Sequence, residues 1–144
     1  MPMIDVTAAV GTFADKAALT RALAECMMRW EGVPPISLFS DNTAAFVREL
    51  PPDALSNANG AADYVRVDVL TPAGVLDRDK KLGVVAEMTQ IVSDAAGDPS
   101  LTERTWVLIS EAPDGGWGIA GHAYTNAEIA EAARRELSTG KQSS

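Results

Sequence analysis

Ile4-Asp5-Val6-Thr7-Ala8-Ala9-Val10-Gly11 and Val67-Asp68-Val69-Leu70-Thr71-Pro72-Ala73-Gly74 carry one pattern written twice. A shift of 63 lays Ile4-Asp5-Val6 over Val67-Asp68-Val69, Gly11 over Gly74 and Leu19 over Leu82. At a shift of 62, Phe46-Val47-Arg48-Glu49-Leu50-Pro51 lies over Leu108-Ile109-Ser110-Glu111-Ala112-Pro113, matching apolar pairs, the Glu and the Pro. Ordered matches along two stretches mark a tandem duplication, so the fold is two copies of one supersecondary unit.

Each unit reads strand, helix, strand. In the first, Ile4, Val6, Ala8 and Val10 alternate as a half-buried strand, and Gly11 supplies a turn. Asp15 stands near the helix start, where its carboxylate suits the positive end of the dipole. Leu19, Ala22, Leu23, Cys26, Met27 and Trp30 form one helical stripe, which Gly32 and Pro34-Pro35 end. Ala44 to Glu49 is the second strand. In the second unit Val65, Val67 and Val69 alternate, Asp77 is an N-cap, and Val84, Val85, Met88, Ile91, Val92 and Ala95 make the buried helical face. Trp106 to Glu111 closes it, apolar on both faces, which calls for a cover from another subunit. The expected architecture is α+β: tandem β-α-β units forming a four-stranded sheet with two helices on one face. Gly115 to Gly121 adds a glycine-rich hairpin. Thr125 with Glu128 is a capping box opening a last helix over 125–137, and a loose polar tail runs from Ser138 to Ser144. The chain is read as one domain over 1–144, with unit one at 2–50, a connection at 51–63 and unit two at 64–122.

Composition narrows the function. A hydrophobic fraction of 47% and 22% charged residues are those of a globular protein. Twelve basic against 20 acidic residues, a net charge of −8, exclude nucleic acid as a partner, while leaving room for a small acid beside one desolvated cation. The apolar stretches are too short to span a membrane, and the start has no signal-peptide pattern, so a cytoplasmic location is expected. Cys26, the single cysteine, reads as a buried structural thiol. One cysteine and one histidine form no metal-ligand cluster, no serine stands in a nucleophile elbow, and Gly115 to Gly121 lack the Lys-Ser/Thr of a phosphate cradle. Neither a metal site nor a phosphate cradle is expected.

Pro2 remains. Initiator methionine is normally removed before so small a residue, freeing a secondary amine at the start of the first strand. An α-amino group has a reference pKa of about 8, and an apolar pocket lowers it by penalising the charged form. Such a base suits proton abstraction beside a carbonyl, and the amine can also form an iminium.

An N-terminal proline opening a strand, a β-α-β unit of this length and Trp117-Gly118-Ile119-Ala120-Gly121 after the second strand together resemble the tautomerase superfamily. The second half resembles 4-oxalocrotonate tautomerase, and the whole chain resembles its fused two-unit relatives over residues 2–122. The resemblance implies a β-α-β fold, homotrimers of fused chains, no cofactor, and keto–enol isomerisation of 2-oxo or 2-hydroxydienoic acids. Pro2 matches the family's base, and Trp117 falls where the family has an aromatic pocket wall. Val65 is the counterpart of Pro2 in unit two, so one working site per chain is implied. The departures concern the arginines that clamp a carboxylate. Thr12 stands where one is expected in the first turn; Ala44 and Trp106 stand where one is expected on the second strands; Thr71 to Leu76 lacks the pair found in related dehalogenases and decarboxylases. Arg104 is the candidate substitute for binding a carboxylic acid substrate, and Asn42 could donate to a developing enolate. Their competing roles are a solvated strand-end charge and a turn residue. Trp106 serves either as pocket wall or in core and trimer packing, Arg48 and Arg66 are weaker substitutes, and His122 reads as a hairpin residue. The leading expectation is a tautomerase with Pro2 as base. The alternatives are a hydratase, decarboxylase or dehalogenase using protonated Pro2, and a non-catalytic scaffold.

Overall fold

The computed structural model describes residues 1–142. Strand β1 (Met3–Ala9) leads through a turn at Gly11, whose φ of 88° a side chain would strain, into helix α1 (Lys16–Glu31). A short helix α2 (Ser37–Ser40) precedes β2 (Ala44–Leu50). The second unit repeats this with β3 (Val65–Pro72), the turn glycine Gly74 at φ 78°, α3 (Arg78–Ala96) and β4 (Thr105–Ala112). Helices α1 and α3 both start on an aspartate: Asp15 accepts from Ala18 N at 3.0 Å and Asp77 from Lys80 N at 2.9 Å. Both end on a left-handed glycine, Gly32 and Gly97. The turn glycines keep the shift of 63 while the capping aspartates stand 62 apart, so the two copies differ by one residue between turn and helix.

The sheet runs β2-β1-β3-β4. Pairing is parallel within each unit and antiparallel between them, with Val6 opposite Val67 at the centre of the β1–β3 seam. Antiparallel joining makes the two units related by a rotation, so the start of β1 and the start of β3 lie at opposite ends of the sheet. Alternation sends Ile4, Val6 and Ala8 of β1 and Val65, Val67 and Val69 of β3 to one face, where Leu19, Leu23, Met27, Val84, Met88 and Val92 cover them. Each such buried aliphatic contributes about 1.5–3 kcal/mol. The other face keeps Phe46, Leu70, Trp106 and Leu108 exposed by 49, 39, 39 and 52%.

Beyond β4, the glycine-rich segment forms the expected hairpin, β5 (Trp117–Ile119) with β6 (His122–Tyr124). Helix α4 (Asn126–Gln142) opens on the capping box, with Glu128 N donating to Thr125 Oγ1 and Thr125 N to Glu128 Oε1, both at 3.1 Å. The tail expected to be loose from Ser138 instead continues this helix to Gln142, because a single glycine at 140 costs only about 1 kcal/mol and no proline follows; Ser143 and Ser144 lie outside the described residues. No helix among the described residues is long and apolar enough to cross a membrane.

Candidate active site at the start of the first strand

Pro2 is held, not frayed. It is buried, its carbonyl accepts from Ala44 N at 3.2 Å, and the strand it opens is flanked on both sides by β2 and β3. Met1 before it is 2% exposed and packs in an apolar cluster with Phe39, Trp117 and Ala133. Its ammonium donates to Glu31 Oε2 at 2.9 Å. Burial pushes this amine below its ordinary pKa, while the Glu31 carboxylate pushes it back up. Glu31 is the last residue of α1, its side chain is 3% exposed, and its Oε1 has no hydrogen-bond partner among the described residues. A carboxylate at that end of a helix works against the dipole, so the nearby cation is what holds it.

A cleft of about 240 Å³ opens on this cluster. Its walls come from the turn after β3 (Ala73, Gly74, Val75), from Met1 and Phe39, and from α4 through Ile129 and Ala130. Asn126, also in the wall, donates from Nδ2 to Ala73 O at 2.8 Å and ties α4 to that turn. The far end of α4 is tied by Glu136, which accepts from Ser37 N at 2.8 Å, Leu38 N at 3.0 Å and the Ser37 hydroxyl. Trp117 is 6% exposed and lies beside Met1.

The other candidate residues divide by place. Asn42 lies at the Pro2 end of β2, but its Nδ2 donates to Leu38 O at 2.8 Å, closing the short α2 turn. Arg104 and Trp106 lie at the opposite end of the sheet, on the order of 20 Å away along the strands, since Met3 pairs with Leu70 while Val65 pairs with Thr105. There Arg104 is a neighbour of the Pro2 counterpart: Val65 N donates to its carbonyl at 2.9 Å. Its guanidinium is committed to Asp63 O at 3.1 Å, Ser100 Oγ at 2.7 Å and Asp98 Oδ2 at 3.1 Å, and it lines a second cleft together with Thr12. Trp106 stacks on Tyr64 with centroids 4.7 Å apart on the bare sheet face. Arg48 and Arg66 pair with Asp5 and Asp68, and His122 with Glu128. Within one chain, therefore, Pro2, Trp117 and Asn42 share one end, and the arginine and Trp106 the other.

Cys26 is a structural thiol. It is fully buried, bonds Glu87 Oε2 at 2.7 Å, and is pushed up to about 12 by burial and then by that carboxylate. Sequence reasoning missed Glu31, Phe39 and Asn126. Glu31 ends an apolar stripe just before Gly32 and reads there as a solvated helix end; an acid in the last turn, against the dipole, was the one available sign.

Comparison with known proteins bears on the fold. The family model described as "Tautomerase enzyme" matches residues 64–127. No curated protein matches the chain in sequence. Among solved structures, a fused 4-OT described as a symmetric trimer superposes with a TM-score of 0.73 at 20% identity, covering 88% of this chain and 97% of its own. Another, described as an asymmetric trimer, gives 0.70 at 19%, covering 84% and 94%. A member of the cis-3-chloroacrylic acid dehalogenase family gives 0.71 at 19%, covering 95% and 99%. The second unit thus matches the tautomerase family model in sequence, and both units share the fold of the fused 4-OT structures.

Proposed function

We propose that this protein is a cofactor-independent isomerase. The Pro2 amine, freed by removal of Met1, takes a proton from a carbon beside a carbonyl and returns it elsewhere on the same small molecule. The observation that carries the reading is the Met1 environment. Its side chain is enclosed by Phe39 and Trp117, so its loss would leave apolar space directly at the Pro2 nitrogen. An amine in such surroundings is neutral more often than in water and can act as a base near pH 7. The buried position of Pro2 and its bond to Ala44 hold the base in one place, which proton transfer requires. Val65 at the counterpart position is an interior strand residue with no free amine, so one site per chain follows.

A second reading is favoured by Glu31. Burial lowers the Met1 amine and the Glu31 carboxylate opposes that lowering; the same carboxylate beside Pro2 would favour a protonated Pro2 acting as acid in a hydratase, decarboxylase or dehalogenase. The bare sheet face supports assembly with further copies, and we take the homotrimer as the unit of function.

Two measurements test the primary reading together. Intact-mass analysis is expected to show a chain that begins at Pro2. Pro2→Ala, which is processed equally well, is expected to lower kcat for ketonisation of a simple enol by at least about 100-fold. Retained methionine, or full activity in Pro2→Ala, would sink it. The pH profile separates the two readings: activity rising with pH through the amine pKa marks the base, activity falling marks the acid.

A further inference from the structure

We propose that Glu136, which lies outside the cleft, is a positioning residue for the substrate. It locks α2 to α4 and so fixes the gap between Phe39 and Ile129 in which the substrate's apolar end packs. The proposal rests on Pro2 being the working amine and names what sets the fit at that same site.

Helix α4 carries one stripe at steps of three, four and three: Asn126, Ile129, Ala133 and Glu136. The stripe is polar at its ends and apolar between them. Asn126 fastens the first end, with its Nδ2 on Ala73 O at 2.8 Å and its backbone N on Asp114 Oδ1 at 2.7 Å. Ile129 and Ala133 join the apolar cluster of Met1, Phe39 and Trp117. Glu136 fastens the second end on α2.

Helix α2 depends on that bond. Four residues make too short a helix to hold itself, and its N-cap, Ile36, has no side chain with which to receive the first amides. The amides of Phe39 and Ser40 reach Ile36 O. Those of Ser37 and Leu38 donate to Glu136 at 2.8 and 3.0 Å, and the Ser37 hydroxyl joins them. Bonds to an ionised acceptor are about twice as strong as neutral ones. At the other end Asn42 Nδ2 closes on Leu38 O at 2.8 Å. Phe39, 7% exposed, hangs on this fastened turn and lines the same cleft as Ile129.

In the unprocessed chain Met1 fills the space among these side chains. Once Met1 is gone, a substrate's apolar end takes that space, between a wall on α2 and a wall on α4. The clasp is internal to one chain and holds whatever neighbouring copies add around the cleft. Pro2 is held separately, by Ala44 N and by the pairing of β1. Glu136 therefore governs how well the substrate seats, while Pro2 keeps its own position. Walls already in place spare a ligand the cost of ordering them. A wall free to shift makes the fitting arrangement one of several and weakens the apparent affinity in proportion.

The test follows ketonisation of the enol of phenylpyruvate by wild type, Glu136→Leu, Glu136→Gln and Glu131→Gln. Glu136→Leu keeps the bulk and removes every acceptor, and is expected to raise KM by about tenfold with kcat within about twofold. Glu136→Gln keeps one oxygen for Ser37 or Leu38 and should raise KM by about threefold. Glu131→Gln makes the same charge change on α4 at a residue paired with Arg134, and should match wild type. A role confined to stability would lower the active fraction, and with it the apparent kcat, and leave KM where it is. That pattern, or an unchanged KM in either Glu136 variant, overturns the proposal. Calorimetric titration of Pro2→Ala with phenylpyruvate reads the same fit without turnover. Binding about tenfold weaker when Glu136→Leu is added supports the assignment; equal affinity, or no binding by either protein, refutes it. Turnover that survives Pro2→Ala with the KM shift intact removes the parent reading and leaves this one standing. Pro2-dependent turnover with an unmoved KM does the opposite.

Discussion

Gly83 shows how one atom can hold two helices in register. A Cβ built there would lie 2.1 Å from Cη2 of Trp30, whose Nε1 is pinned to Glu87 Oε2 at 2.7 Å and cannot swing aside freely. Alanine is worth about 1 kcal/mol over glycine in a helix interior, yet overpacking costs about 1–3 kcal/mol. Gly83→Ala should therefore lower stability by roughly 1–2 kcal/mol in urea unfolding, and Trp30→Ala in the same chain should remove the clash. Glu87, which receives Cys26, Trp30 and Arg29, is held below the usual carboxylate range first by the Cys26 thiol, against burial, then by the indole and guanidinium. A pKa lower in the folded state means that the unfolded chain binds more protons. The stabilisation is then complete above the unfolded carboxylate pKa and is lost as pH falls through the folded one. Glu87→Gln is expected to be less stable than wild type at pH 7 and to lose less on acidification. Equal slopes for the two proteins would refute this account.

At the scale of elements, α4 is the piece that turns the end of a sheet into a cleft. It lies outside the two repeated units; the Thr125–Glu128 capping box closes its start, and Asn126 on Ala73 and Asp114, His122 on Glu128, and Glu136 on the start of α2 tie it down. Removing the cap with Thr125→Ala should cost about 1 kcal/mol. Because α4 packs on one edge of the molecule, that loss should appear as faster amide exchange within 126–142 while β1 and β3 stay protected. Uniform loss of protection would mean that α4 belongs to the main cooperative unit. Both Gly-ended helices, by contrast, cover the sheet through the alternating aliphatics of β1 and β3, and were legible as periods of two and 3.6 in the chain itself.

For the whole molecule, one face of the sheet is covered and the other is not. Phe46, Leu70, Trp106 and Leu108 lie on one surface, interrupted by the Asp5–Arg48 and Arg66–Asp68 pairs. A large apolar patch with paired charges is suited to a symmetric interface between copies. Sedimentation at micromolar concentration is expected to show a trimer, and Leu108→Lys, at the site 52% exposed in the single chain, should dissociate it. A stable wild-type monomer would count against the trimer.

The duplication, strand and helix periods, the two capping aspartates, the turn glycines and the capping box at Thr125 are local or near-local signals. They were readable because side-chain spacing and backbone torsion act over a few residues. Pro2 and Trp117 were nameable from their resemblance, but the residues around them came from four separate segments. Glu31 closes α1, Phe39 sits in a four-residue helix without a periodic signature, Ala73 to Val75 form a turn, and Asn126 begins α4. Only tertiary packing brings these together. It also separates Arg104 from Pro2, because the units join antiparallel and the start of one lies at the far end of the other. The chain's own order could set each unit's internal pattern; which ends meet depends on long-range pairing, and that pairing puts Glu31 in the cleft beside the first strand and Arg104 at the far end of the same chain.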